Sequence, residues 1–126
     1  MLARAIKGDR MKIRIDKLDT VFSKCICLRD KVCQRCGGSG KLQCSHFHGR
    51  AKKSVRWDED NAVALCFGCH MYFTANPYEH TIWFENHLGV AKFEWLGCRS
   101  RTTFPKPDKE AIELYLKEKL KIMEDE

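Results

Sequence analysis

The chain has 126 residues and a formal net charge of +6, so its length predicts one domain with a core of modest size. No apolar run approaches the roughly 20 residues of a membrane-spanning helix, which argues against an integral membrane protein. The charge is unevenly distributed, because residues 1–57 carry +11 and residues 58–126 carry −5. A basic half is typical of a protein that binds nucleic acid, although a solvated basic surface without a partner has the same composition.

Eight cysteines occur in the chain, and two pairs of them have the spacing Cys-x-x-Cys. The apolar part of the first residues is too short for a secretory signal. Paired cysteines without a signal fit a reducing cytoplasm better than a disulfide scaffold, so we expect a cytoplasmic protein.

The N-terminal third of the chain predicts a basic arm and then a helix. Residues 1–15 form the arm, and weak alternation at residues 11–15 fits either a short strand or a loose segment. From Asp16 the pattern is helical, with Asp16 or Asp19 as the N-cap. Cys25 lies on the apolar face and is expected to be buried rather than to bind metal. The residues of that face are Leu18, Val21, Phe22, Cys25 and Leu28.

The remaining elements are predicted from alternation, turn residues and caps. Residues 41–47 alternate and predict a strand, and the apolar residues 62–65 lead into a short helix that begins near Phe67. Asn76-Pro77 begins another helix, which Gly89 ends. Residues 90–107 show no clear period, and residues 108–125 predict a closing helix that packs on the domain. The expected apolar faces are Tyr78, Ile82, Trp83 and Phe84 in the earlier helix, and Ile112, Leu116, Leu120 and Met123 in the closing helix.

The two Cys-x-x-Cys pairs predict a structural zinc site. Two thiolates two residues apart can bind one zinc from a tight turn, and a second such pair completes a closed tetrahedral site that does no catalysis. Between Cys36 and Cys66 lie 29 residues, more than a simple zinc ribbon needs. The four predicted ligands are Cys33, Cys36, Cys66 and Cys69.

Within this spacer and directly after it are three residues with catalytic potential: His46, Asn61 and His70. A neutral imidazole takes a proton from water near neutral pH, and an asparagine can orient an imidazole through a hydrogen bond. A divalent cation can neutralise the charge that develops on a phosphodiester. We expect His46 on the strand and His70 on the helix to face each other across the zinc-braced unit.

His46, Asn61 and the segment 65–70 resemble the HNH endonucleases of the ββα-metal class, in the subgroup braced by zinc. The chain more narrowly resembles the phage recombination nucleases of the NinG/Rap family. The similarity covers about residues 17–96, and the segments that carry it are residues 17–37, 45–47, 56–61 and 76–79.

This resemblance implies an α+β fold, with a small zinc-braced ββα-metal (HNH) core and flanking α-helices in a single domain, residues 1–126. The arm would be residues 1–15, the core with its helices residues 16–96, and the closing helix residues 108–125. His46 would be the general base, Asn61 the orienting asparagine, and His70 a ligand of a catalytic Mg²⁺ or Mn²⁺. The implied activity is metal-dependent DNA cleavage that leaves a 3′-hydroxyl and a 5′-phosphate, on branched recombination intermediates in the cytoplasm of a bacterium or a phage-infected host.

One position departs from the HNH pattern, because many of these enzymes have a metal-binding aspartate immediately before the base and this chain has Ser45. The second protein ligand of the catalytic cation therefore stays open. We take His48 as the working assignment, although a DNA contact or no role suits it as well. The other candidates are Cys44, Glu79 and His80.

The predicted DNA contacts are four basic residues beside the catalytic strand: Arg50, Lys52, Lys53 and Arg56. Trp57 is expected in the core. Two other functions remain open, a non-catalytic zinc module that binds DNA and a protein-interaction adaptor that docks through the closing helix. A nuclease that cleaves junctions needs two active sites, which is consistent with a homodimer.

Overall fold

The computed structural model describes residues 16–126, so the predicted basic arm and the pattern at residues 11–15 lie outside the described residues. The described part is α+β and mostly helical, with one small two-stranded sheet. None of its helices is long and apolar enough to cross a membrane. The elements in chain order are α1 (Lys17–Asp30), β1 (Leu42–His46), β2 (Ala62–Cys66), α2 (Phe67–Ala75), α3 (Pro77–Leu88), α4 (Val90–Ser100) and α5 (Lys109–Glu124), with short 3-10 turns at Lys53–Val55 and Glu59–Asn61.

The sheet is an antiparallel hairpin that continues directly into a helix. Leu42 pairs with Cys66 and His46 with Ala62, so the strand predicted at residues 41–47 is confirmed as β1. In β2 only the last residue is not buried, which explains its continuous apolar sequence. Helix α2 begins at the next residue, Phe67, and the second cysteine pair therefore lies at the junction between strand and helix.

Helix α1 begins where its sequence predicts, because the Asp16 carboxylate accepts a hydrogen bond from the backbone N–H of Leu18 at 2.9 Å. Cys25 is buried as predicted. The predicted apolar face is wrong at its C-terminal end, because Leu28 is exposed and Ile26 is buried instead. Ile26 follows Phe22 by four residues and so continues the same face of the helix.

Two apolar clusters form the core. One contains Val63 and Leu65 of β2 together with residues of α2, α3 and α4, and the other lies between α1, α5 and the start of β2. Leu116 of α5 is fully buried in the second cluster, and the rest of the predicted α5 face packs around it, which confirms that the closing helix packs on the domain.

Helices α3 and α4 differ from the sequence predictions. Phe84 is the buried residue of α3 and stacks on Phe47 at 4.6 Å between ring centroids, whereas Tyr78 and Ile82 are exposed. Residues 90–100, which show no clear period, form α4 and bury Leu96. Helix α3 contacts the core through a narrow stripe, and its one buried residue produces only a weak periodic signal.

Candidate metal centre and active site

The cysteines of the two Cys-x-x-Cys pairs lie close together, with all four Sγ atoms within 4.8 Å of one another. The Sγ atoms of Cys36 and Cys66 are 3.8 Å apart, which matches the separation of about 3.8 Å expected for two sulfurs on one tetrahedral zinc. The first pair follows α1, while Cys66 ends β2 and Cys69 lies in α2. The four cysteines are thus positioned to hold one metal ion, consistent with structural zinc.

Backbone N–H groups point at the sulfurs of this cluster. The N–H of Cys36 donates to Cys33 Sγ at 3.5 Å, and the N–H of Cys69 donates to Cys66 Sγ at 3.4 Å. Burial raises the pKa of the Cys33 thiol, but the surrounding N–H groups outweigh it and lower that pKa to about 6. The guanidinium of Arg35 lies 3.5 Å from Cys69 Sγ. The donors around Cys33 favour its thiolate, the form that binds a metal ion, whereas burial and the neighbouring cysteine sulfurs raise the pKa of Cys69 to about 12.

Asn61 fixes the connection between the two strands. Its side chain is fully buried, accepts a hydrogen bond from the N–H of His48 at 2.8 Å and donates to the carbonyl oxygens of His48 (2.9 Å) and Val55 (3.0 Å). Among the described residues, the Asn61 side chain hydrogen-bonds to backbone groups and not to an imidazole as expected. The amide instead binds the backbone of residues 48 and 55, so its effect on the rings is indirect.

His46 lies at the end of β1 with its imidazole half-buried beside Phe22 of α1, at 5.5 Å between ring centroids. Its Nε2 is 3.0 Å from the carbonyl oxygen of Arg56. Because a carbonyl oxygen only accepts, Nε2 carries the proton and Nδ1 keeps a lone pair. Burial lowers the pKa of His46; the bond to Arg56 opposes this shift and the nearby Arg50 adds to it. The ring is therefore neutral near pH 7.

His70 lies on α2, and its Nδ1 is 2.6 Å from Oε1 of Gln43. Burial lowers the pKa of His70. Gln43 and His46 are three residues apart on β1, so alternation directs them to opposite faces of the strand. The observed contacts agree with this alternation, because the Gln43 side chain contacts His70 of α2 and the His46 ring contacts Phe22 of α1. Contrary to expectation, His46 and His70 therefore lie on opposite sides of β1 and do not face each other. Sequence reasoning missed Gln43, because its position on the strand is its only signal.

The candidates for a second cation ligand do not form one cluster, although His80 is close enough to His70 for His70 to lower its pKa. Ser45 is buried, and the His48 ring packs edge-on against Phe47 at 4.9 Å. His80 stacks on Phe73 at 4.7 Å, and burial raises the pKa of the Cys44 thiol to about 12. Glu79 accepts a hydrogen bond from the Tyr72 hydroxyl. Within residues 16–126 the four cysteines are the one group of three or more cysteine, histidine or carboxylate side chains positioned to hold a metal ion.

The four predicted DNA contacts fall into two groups. Arg50, Lys52 and Lys53 are exposed on the strand connection. Arg56 instead donates two hydrogen bonds to Asp19 of α1, at 3.0 and 2.6 Å, and its side chain is only 19% exposed. Trp57 is buried as predicted, and its Nε1 donates to the same carboxylate at 2.8 Å. Asp19, considered from sequence only as a cap, is therefore the residue that ties α1 to the strand connection.

Searches against protein-family models, curated proteins and solved structures found no match to this chain.

Proposed function

We propose that the protein is a metal-dependent DNA endonuclease with an HNH-type ββα core braced by a structural zinc. The observation that carries this proposal is the arrangement around His46. An imidazole with a protonated Nε2 held by a carbonyl oxygen has a free Nδ1 lone pair, which is the state a general base requires. The carbonyl belongs to the strand connection that buried Asn61 fixes, so the ring orientation is built into the fold.

In the proposed reaction, Nδ1 of His46 removes a proton from a water molecule. The water oxygen forms a bond to phosphorus, the bond from phosphorus to the 3′ oxygen breaks, and the departing 3′ oxygen takes a proton from solvent. The family resemblance supplies this polarity, which leaves a 3′-hydroxyl and a 5′-phosphate. Arg50 is exposed and lies close enough to His46 to lower its pKa, and in this proposal it would offset the negative charge of the phosphodiester.

A Mg²⁺ or Mn²⁺ is the cofactor that this proposal adds. The Oε1 of Gln43 accepts a hydrogen bond from Nδ1 of His70 at 2.6 Å, which leaves Nε2 of His70 as the ring atom that would hold such an ion. Mg²⁺ needs few protein ligands, because that ion retains several waters and shares phosphate oxygens. When bound, the cation would neutralise phosphate charge from the α2 side of β1, while His46 acts from the α1 side.

The proposal is tested by nicking of supercoiled plasmid with Mg²⁺ or Mn²⁺, and by cleavage of a four-way junction compared with a linear duplex. The wild-type chain should nick the plasmid and prefer the junction. His46→Ala should lose the activity, while His87→Ala, which removes an exposed histidine from α3, should keep it. Equal activity of wild type and His46→Ala would refute the role of His46.

The second candidate is a zinc-stabilised DNA-binding module without catalysis. Ser45 favours it, because this residue stands where many HNH enzymes have a metal-binding aspartate and because it is only 2% exposed. DNA binding by wild type without cleavage under any of these cation conditions would support the module and reject the nuclease.

A further inference from the structure

A cavity of about 460 Å³ lies between the strand connection and the chain that follows α4. One wall is residues 51–54, and the other is residues 100–107. Trp57, Pro105 and Pro107 add apolar surface. No acidic residue is among the described residues that line the cavity, whereas five basic residues are. These are Lys52, Lys53, Arg101, Lys106 and Lys109.

Most of these cations have no internal counter-ion. Lys109 pairs with Asp16, but no ion pair joins Lys52, Lys53, Arg101 or Lys106 to any residue of the described part of the chain. Lys52 and Arg101 also lie near His48, whose pKa is lowered by burial and further by these two cations. Cations that converge without carboxylates attract an anion.

The two walls are joined by specific contacts. The Ser54 hydroxyl donates to the carbonyl oxygen of Arg99 at 2.5 Å, which ties the strand connection to α4. The Arg99 side chain binds Asp58 at 2.7 Å and Asp60 at 3.3 Å. Arg99 offsets one of these two negative charges, and neither carboxylate is among the residues that line the cavity. The site is formed before any ligand arrives.

We propose that this cavity binds the sugar–phosphate backbone of a DNA strand next to the cleaved bond, an inference that rests on the proposed nuclease function. Several cations beside apolar proline and tryptophan surface suit phosphates linked by deoxyribose better than an isolated inorganic anion. The cavity is also large enough for more than one small ion. Its first wall belongs to the segment that carries the Arg56 carbonyl, so a strand held there is positioned relative to His46.

The test is fluorescence anisotropy of a short labelled DNA duplex with the full chain in its zinc-bound form, without added Mg²⁺, at several salt concentrations. The cavity variant is Arg101→Ala/Lys106→Ala. The matched control is Lys24→Ala/Lys121→Ala, which removes the same charge from exposed positions on α1 and α5. The cavity variant should bind roughly tenfold more weakly, and its salt slope should fall by about two, one unit per lost phosphate contact. The control should change binding by less than about twofold.

The variant Arg101→Lys/Lys106→Arg keeps both positive charges and should therefore retain the wild-type salt slope. The zinc content and the circular dichroism spectrum, measured for this variant and for the cavity variant, check that both remain folded. Equal losses in the cavity variant and the control would overturn the proposal, since net charge alone would then explain binding. Displacement of the DNA by a polyglutamate peptide at equal charge concentration would also overturn it, in favour of an acidic protein partner.

If wild type cleaves DNA but the cavity variant binds normally, this inference fails and the nuclease stands. If the cavity variant loses binding but wild type never cleaves, the nuclease fails and the cavity stands.

Discussion

The Nε2 atom of His46 lies 3.0 Å from the carbonyl oxygen of Arg56. The Arg56 side chain is in turn held by both carboxylate oxygens of Asp19 on α1. The proposed base is therefore oriented from outside the hairpin, through a segment that a helix and the buried Asn61 fix from two sides.

Asp19→Ala should destabilise the fold by about 2 kcal/mol. The carboxylate is 6% exposed and accepts hydrogen bonds from Arg56 and Trp57, so its removal leaves a guanidinium and an indole N–H without partners. Partial exposure of Arg56 keeps the cost below that of a fully buried pair. Urea unfolding measures the change, with Asp125→Ala on the exposed end of the chain as the control. A loss below about 0.5 kcal/mol, equal to that of the control, would contradict this role.

Asn61→Ala should cost about 3 kcal/mol in unfolding free energy, because it removes three hydrogen bonds and leaves the backbone N–H and carbonyl of His48 unpaired, while the Val55 carbonyl keeps its bond from the N–H of Asp58. Asn86→Ala, on the exposed face of α3, should change stability little. If both variants unfold at the same urea concentration, Asn61 does not fix the strand connection.

Cys36→Ser and Cys69→Ser should each lose the bound zinc and unfold, because the energy of metal binding is also folding energy. Wild type should contain one zinc per chain, measured by plasma mass spectrometry, since the four sulfurs form one cluster. Cys98→Ser is the matched control, as Cys98 is exposed and outside the cluster. A Cys69→Ser variant that kept its zinc and its melting temperature would exclude this cysteine as a ligand.

Stability should fall as the pH drops below about 6.5, the ordinary pKa of histidine. Burial lowers the pKa of all five histidines, so the unfolded chain binds more protons over this range. A histidine whose pKa is lower in the folded state stabilises the protein fully when the pH is above its unfolded-state pKa. This stabilisation is lost as the pH falls through the folded-state pKa. His80→Phe removes one such group, which stacks on Phe73 and is also repelled by His70. Its unfolding free energy should differ less between pH 7.5 and 5.5 than that of wild type, and an equal difference would refute the assignment.

The features predicted from sequence are those that local spacing determines. The two cysteine pairs, the strand at residues 41–47, the Asp16 cap and the apolar face of α5 each follow from the positions of near neighbours.

The features that sequence reasoning missed depend on contacts distant in the chain. Asp19 meets Arg56 across 37 residues, and Gln43 meets His70 across 27. Neither pairing has a periodic signal. The exposure of Tyr78 and Ile82 depends likewise on how little of α3 the core covers.

The most direct test of the account is the pH dependence of the single-turnover rate of DNA cleavage, for wild type and His46→Ala. The wild-type rate should rise with pH through a midpoint below about 6.5, because the pKa of His46 is lowered and only the neutral ring accepts a proton. His46→Ala should be about a hundredfold slower or more, should lack this rise, and should regain rate with added imidazole. A His46→Ala variant with the wild-type rate and the same pH profile would contradict the claim that His46 is the general base.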